Sequence, residues 1–351
     1  MEPRYRVLHV ANSLGLGGTE KAMQLMASHL DRERFEPYVH SPLDGPRRAL
    51  LRAAGVPVFA GGDLLAVLER LKPHVVHLHR AGWPEPGPLS AVKRFGPRAV
   101  VETNVFGRFD PTPLARTIHL HLHISRFCLE RVLAHHPGQA DPARLRVLHY
   151  PVDTDRLGEL APERDFSLPT AARLARPDPG KWSALICPAL TALKSLVPDF
   201  RFLVVGAVPG FEDFVRDQGL ADNVELCPPV LDDAEIAAFL GRATQLAHAN
   251  DTGESFGLAI AEAMASGLPV VTHPAEGQRD NAQLELVDHG VTGLVAATAE
   301  DYAQAQAWLW RNPERARAMG LAGREKARRF FRAQEIGRQL GAIYLELLEG
   351  A

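Results

Sequence analysis

Residues 250–272 constrain this chain more than any other stretch. Gln245 to Ala249 reads as an incoming strand, and Asn250-Asp251-Thr252-Gly253 is dense in turn formers. Leu258 to Ser266 is rich in helix-favouring Leu and Ala, and Gly267 stands where a left-handed cap would end the helix. Leu268 to Thr272 is the next apolar strand, with Pro269 near its start, where a missing N–H is tolerated. Strand, tight loop, helix and strand in so short a span point to an α/β architecture.

The helical segment is apolar nearly all round, so it should be buried on most sides. Glu262 sits in its middle, and a carboxylate there needs hydrogen-bonding partners. Either the core supplies one, or the carboxylate faces ligand hydroxyls. The loop before the helix favours the second. Ser255, Phe256, Gly257 and Leu258 would present N–H groups at a helix N-terminus, a natural phosphate site, and Gly257 permits close approach of backbone. Glu254 lies in the same loop, so both carboxylates can face one crevice.

Composition narrows the class. The chain has 351 residues, 46% hydrophobic and 23% charged, with net charge −3. That suits a globular chain of two domains and gives no support for nucleic-acid binding. Cys128, Cys187 and Cys227 are isolated, which argues against a disulfide framework or cysteine zinc site and for a reducing cytoplasm. Met1 to Tyr5 runs straight into a strand without a leader pattern, and no apolar run reaches membrane-spanning length.

Glu254 and Glu262 within Glu-Ser-Phe-Gly-Leu and Glu-Ala-Met-Ala-Ser-Gly-Leu-Pro-Val-Val resemble the retaining nucleotide-sugar glycosyltransferases of family 4, which have the GT-B fold. The resemblance implies two Rossmann-like, doubly wound domains facing across a cleft. It assigns Glu254 to the donor sugar, the Ser255–Leu258 loop to sugar and diphosphate, and Glu262 to the ribose. It also implies metal-independent chemistry with no cofactor beyond the donor.

The rest of the chain is read beside that resemblance. Tyr5 to Ala11 is a first strand, then a Gly-rich loop and an amphipathic helix to about Leu30. Gly15 and Gly17 fit a dinucleotide fingerprint, but its third glycine would fall on Glu20, so that reading fails. Gly17-Gly18-Thr19-Glu20 instead resembles the family's Gly-Gly-x-Glu loop, which faces donor phosphates and acceptor. His74 to His79 and Val100 to Val105 are buried strands; the family often has a His at the end of the second, where this chain has Asn104. His79 and Asn104 therefore stand as rivals for the sugar contact. Ile118 to Ser125 puts His119, His121 and His123 on one strand face, roughly 7 Å apart, too far to converge on one ion without a bend, and with no acidic ligand in the run.

Residues 1–160 are expected as the acceptor-side domain, with a linker at 158–170 holding Pro162 and Pro169. Residues 168–325 are expected as the nucleotide-sugar domain, and 326–351 as a helix crossing back to the first domain. Arg173-Leu174 resembles the family's Gly-Arg-Leu segment, whose Arg and a following Lys bind the diphosphate. The usual Lys position is Asp178 here, so Lys181 is inferred to serve through a longer loop, with Arg176 as the alternative. Asn281-Ala282 replaces the Gly-Gly of the family's Gly-Gly-x-x-Glu loop, and Glu285 matches its Glu. The expected activity is sugar transfer from a nucleotide-diphosphate donor to a glycan, lipid-linked or small-molecule hydroxyl. The rivals are a catalytically silent nucleotide- or glycan-binding homologue and a nucleotide-sugar epimerase or hydrolase. The basic run Arg324 to Arg332 reads first as a solvated face, and second as peripheral contact with the inner face of a membrane.

Overall fold

A computed structural model describes residues 4–350, which divide into two compact units, 4–151 with 333–350 and 152–332. The first unit carries β1 (Tyr5–Ala11), β2 (Phe35–Ser41), β3 (Val58–Ala60), β4 (Val75–Arg80), β5 (Ala99–Asn104), β6 (Leu120–His123) and β7 (Leu145–Val147) in the order β3-β2-β1-β4-β5-β6-β7. Every pairing in it is parallel. Every residue of β4 and β5 is buried, as central parallel strands covered on both faces require. Separate apolar clusters lie on the two sides, one around Leu8, Leu68, Val76 and Leu89, the other around Leu14, Met23, Val39 and Leu51.

The second unit carries β8 (Thr170–Leu174), β9 (Arg201–Val205), β10 (Val224–Cys227), β11 (Gln245–Ala247), β12 (Val270–Thr272) and β13 (Gly293–Val295), ordered β10-β9-β8-β11-β12-β13 and again wholly parallel. Both sheets reverse direction of growth at one internal point: between β1 and β4, and between β8 and β11. Ligands of open α/β sheets bind beyond the strand ends at such points.

Two boundaries differ from the sequence expectation. The division falls at residues 151 and 152, ahead of the expected linker; helix Thr154–Leu160 belongs to the second unit and Phe166 to its core. The returning helix expected over 326–351 is interrupted: helix Pro313–Phe331 ends because Arg332 turns to an extended backbone (φ −57°, ψ 124°) and pairs with Val152. Chain resumes as helix Ala333–Glu349, which packs into the first unit. Gly337 allows the close pass: a Cβ there would lie 2.3 Å from the carbonyl oxygen of His29. No helix of the described residues is long and apolar enough to cross a membrane.

Candidate active site

The second unit's switch point is built from two loops, residues 175–185 after β8 and 248–257 after β11. Backbone geometry in the second loop depends on two glycines. Gly253 has φ 66°, and a Cβ on it would fall 1.5 Å from the carbonyl oxygen of Asp280. Gly257 has φ 109° and caps helix Leu258–Ala265 with no side-chain bond, so the helix's first N–H groups receive no side-chain cap.

Glu254 is the centre of the polar network. Lys181 Nζ donates to its Oε2 at 2.9 Å, while Asn250 Nδ2 and His248 Nε2 (3.2 Å) reach its Oε1. Burial opposes the carboxylate charge, but the His248 bond and the Lys181 charge outweigh it and hold the group down at about 2. Burial also lowers the His248 imidazole, keeping it neutral. With Nε2–H aimed at Glu254, its Nδ1 accepts from the Thr272 hydroxyl at 3.1 Å. The two loops are tied directly: Ser183 Oγ donates to Asp251 at 2.6 Å, and Thr252 Oγ1 to the Gly180 carbonyl at 2.8 Å.

Arg173 lies underneath, 1% exposed, with its guanidinium 4.8 Å from the Trp182 ring centroid. Its Nη2 donates to the Lys181 carbonyl (2.6 Å) and to Asn250 Oδ1 (3.3 Å), so it braces the loop that carries Lys181. Burial pulls its pKa down to about 10. Arg173, expected at the diphosphate, thus lies buried beneath that loop with its Nε and Nη1 without a protein partner, while Lys181 lies beside Glu254 and Arg176 is exposed. Glu262 is 4% exposed in the helix, and Phe256 packs edge-on against Phe331 with centroids 5.2 Å apart.

Asn281, standing where the family's first glycine would be, closes its loop: it accepts from Ala275 N at 2.8 Å and donates to Ala275 O at 2.9 Å. Gln283 continues the brace, accepting from Glu254 N at 3.0 Å and donating to His273 O at 3.1 Å. Ser255 donates to Asp280 from the opposite side. His248, Asn250, Asp280 and Gln283 were not singled out from sequence. Their one local signal is that His248 and Asn250 alternate at the exit of an apolar strand.

In the first unit, Gly17 caps helix Gly18–Ser28, and Glu20 of its first turn accepts from Ser13 Oγ at 2.6 Å. Both rivals for the sugar contact are buried, and Asn104 also lines a cavity of this unit. His79 is 3% exposed, bonded through Nε2 to His9 Nδ1 at 3.0 Å and stacked on His77 at 4.4 Å. Asn104 is 2% exposed and spans its own loop, donating to Arg108 O (2.8 Å) and accepting from Arg108 N (3.2 Å). Both are buried because their strands are central.

His9, His77 and His79 bring ring nitrogens within 4.8 Å of one another. In this structure those nitrogens are engaged with protein groups: His9 Nδ1 and His79 Nε2 bond each other at 3.0 Å, and His77 bonds Tyr344 Oη at 2.6 Å and Thr103 Oγ1 at 2.8 Å. The row on β6 separates: His119 accepts from Val100 N at 2.9 Å, His121 bonds Glu102, and His123 is buried. A carboxylate does therefore accompany that row, supplied by the neighbouring strand. Within the basic run, Lys326 pairs with Asp288 at 2.8 Å and Arg332 with Asp155 at 2.7 Å, while Arg328 and Arg329 stay exposed.

Residues 168–312 match the family model of the group 1 glycosyl transferases. A D-inositol 3-phosphate glycosyltransferase of Segniliparus rotundus is 33% identical over 206 residues, 54% of this chain and 44% of that protein, so the chain spans under half of that relative's length. A GDP-mannose-dependent alpha-(1-6)-phosphatidylinositol monomannoside mannosyltransferase of Mycolicibacterium smegmatis is 29% identical over 78% of this chain and 69% of its own length. Among solved structures, a Rickettsia africae glycosyltransferase aligns over 99% of this chain and 100% of its own with a TM-score of 0.80 at 17% identity. Anabaena Alr3699/HepE, in complex with UDP-glucose, aligns over 99% of this chain and 100% of its own with a TM-score of 0.77 at 18% identity. The fold is that of the GT-B glycosyltransferases, with parallel sheets of 7 and 6 strands.

Proposed function

We propose that this chain, which carries a group 1 glycosyl transferase domain in its second unit, moves a sugar from a nucleotide-diphosphate donor to an acceptor hydroxyl with retention of configuration and without a metal. One observation carries the reading: Glu254, Lys181 and the N-terminus of helix Leu258–Ala265 meet at a strand-order switch point. A carboxylate held near 2 stays ionised at any ordinary pH, suited to accept sugar hydroxyls and to favour positive charge building at the anomeric carbon. The helix N-terminus suits the diphosphate. Lys181, bonded to Glu254, is in this reading the cation that serves the leaving group. Glu262 takes the ribose in this reading, and Gly17 and Gly18 the phosphate side of the first unit. The Mycolicibacterium relative's GDP-mannose dependence and the UDP-glucose held by the Anabaena protein support a nucleotide-sugar donor; the inositol phosphate in the Segniliparus relative's name supports a hydroxyl-rich acceptor.

The test joins binding to turnover. A melting-point panel of UDP, GDP, ADP and their sugars finds the donor, since a ligand of the native state alone raises the transition. Product formation with that donor is then followed by NMR at the anomeric proton. Transfer with retention is expected. Binding without transfer, or consumption of donor that needs no acceptor, would sink the reading in favour of a silent homologue or a hydrolase or epimerase.

A further inference from the structure

The carboxylate of Glu254 has two oxygens and room for about four hydrogen bonds, and the second unit divides those oxygens unequally. Oε1 is reached by two donors, Asn250 Nδ2 and His248 Nε2, the latter at 3.2 Å. Among the described residues Oε2 is reached by Lys181 Nζ alone, at 2.9 Å. One oxygen is filled by protein, and the other keeps room for a ligand hydroxyl.

The two donors to Oε1 constrain each other. His248 and Asn250 stand just beyond β11, and the Asn250 amide gives its Oδ1 to Arg173 at 3.3 Å, which fixes the end that faces Glu254. Asn250 Nδ2 also lies 3.2 Å from His248 Nε2, so that nitrogen faces an amide donor and a carboxylate oxygen at once. The charged oxygen decides the tautomer. A bare Nε2 would set its lone pair against a carboxylate held ionised, whereas Nε2–H donates to it. The far side of the ring agrees. Thr272 is fully buried on β12, and its hydroxyl lies 3.1 Å from Nδ1, where it serves as the donor. Burial, helped by the charges of Arg173 and Lys181, keeps a second proton off the ring against the pull of Glu254.

A neutral donor does here what a cation could not. It fixes the rotation of the carboxyl group without cancelling the negative field wanted at the anomeric carbon. Without it, Asn250 alone would leave the group a single donor to pivot on, and both oxygens could turn to Lys181. We propose that His248, as the Nε2–H tautomer, is a positioning residue: it locks Oε1 of Glu254 and so leaves Oε2 for the donor sugar. This role rests on the glycosyl-transfer reading of the site, with His248 acting through Glu254.

The test uses the full chain, and its first step needs no ligand. In ¹⁵N-histidine spectra, the signals that His248→Gln deletes should belong to a ring protonated at Nε2 and bare at Nδ1. A ring protonated at Nδ1 overturns the role. The second step is kinetic, with whichever UDP, GDP or ADP sugar raises the melting transition. His248→Leu should lower kcat roughly 10²-fold, the cost of a misplaced reacting group, with the donor KM little changed. His248→Gln, which keeps an N–H at similar reach, should recover most of that loss. A His248→Leu enzyme with the kcat of an active parent refutes the role and leaves the proposed function standing. A loss that His248→Gln fails to restore, together with a lower melting temperature, makes His248 a core residue only. A parent chain that transfers no sugar ends the proposed function, and this role with it, whatever the tautomer.

Discussion

At the scale of single residues, the second unit's site turns on how its cations are divided. Arg173 is sealed under Trp182 and Lys181 and spends its Nη2 on the Lys181 carbonyl and Asn250, whereas Lys181 alone touches Glu254. Lys181→Ala should therefore cut turnover by roughly 10²–10³, the usual cost of losing one charge-stabilising contact, with a much smaller loss of nucleoside affinity. Arg176→Ala should leave both nearly unchanged, since that side chain lies exposed outside the network. The reverse pattern in steady-state kinetics would mean that the diphosphate loop is read one cation out of place. Glu262 gives a separate test. The proposed ribose contact requires that Glu262→Gln weaken nucleotide binding by calorimetry while the melting temperature stays near wild type. A lower melting temperature with unchanged affinity would make it a carboxylate of the core.

At the scale of elements, several strands were legible because central parallel strands are buried on both faces and so read as apolar runs; Phe202 to Val205 of β9 is of this kind, whereas β4 carries two histidines and Arg80 among its buried residues. Even the three-residue strands β11 and β12 were found, since Gly267 and the turn at 250–253 punctuate them. What stayed hidden is non-local. Nothing about Arg332 in sequence marks a helix break; its pairing with Val152, distant in the chain, imposes it. His248 and Asn250 look like strand-end residues until the loop returns Glu254 to them. The β-strand histidines carry a further consequence. Burial drives His9 down to about 3 and His123 to about 4, and His77 and His79 also fall well below the ordinary value. In an unfolded chain each takes up a proton near ~6.5. The unfolded state therefore binds more protons in that window, so stability should be full above about pH 6.5 and fall as pH drops toward 4. Urea midpoints measured from neutral to mildly acid pH should show the loss, with a shallower slope in His123→Leu. A flat midpoint would mean that these imidazoles are not held neutral by the fold.

At the scale of the whole molecule, the chain visits its units in the order first, second, first, and the returning helix is structural: Tyr344, fully buried, gives its hydroxyl to His77 Nδ1 at 2.6 Å. Acid and base are nearly balanced overall, so charge needed at a leaving diphosphate has to be supplied locally. In the second unit that supply is Lys181 and the uncapped N-terminus of helix Leu258–Ala265. The nearby carboxylates already have other duties. Asp251 takes Ser183 Oγ and Ala184 N, Asp280 takes Ser255, and Glu254 takes Lys181, His248 and Asn250. A divalent ion bridging two of them would have to break bonds that hold the loops together, at a cost its coordination must first repay. Glycosyl transfer should accordingly survive exhaustive EDTA treatment with kcat unchanged, measured with the donor found in the melting panel. Activity that disappears on chelation and returns with Mg²⁺ or Mn²⁺ would show that a metal supplies the charge assigned here to Lys181 and the helix, and the roles given to both would have to be withdrawn together.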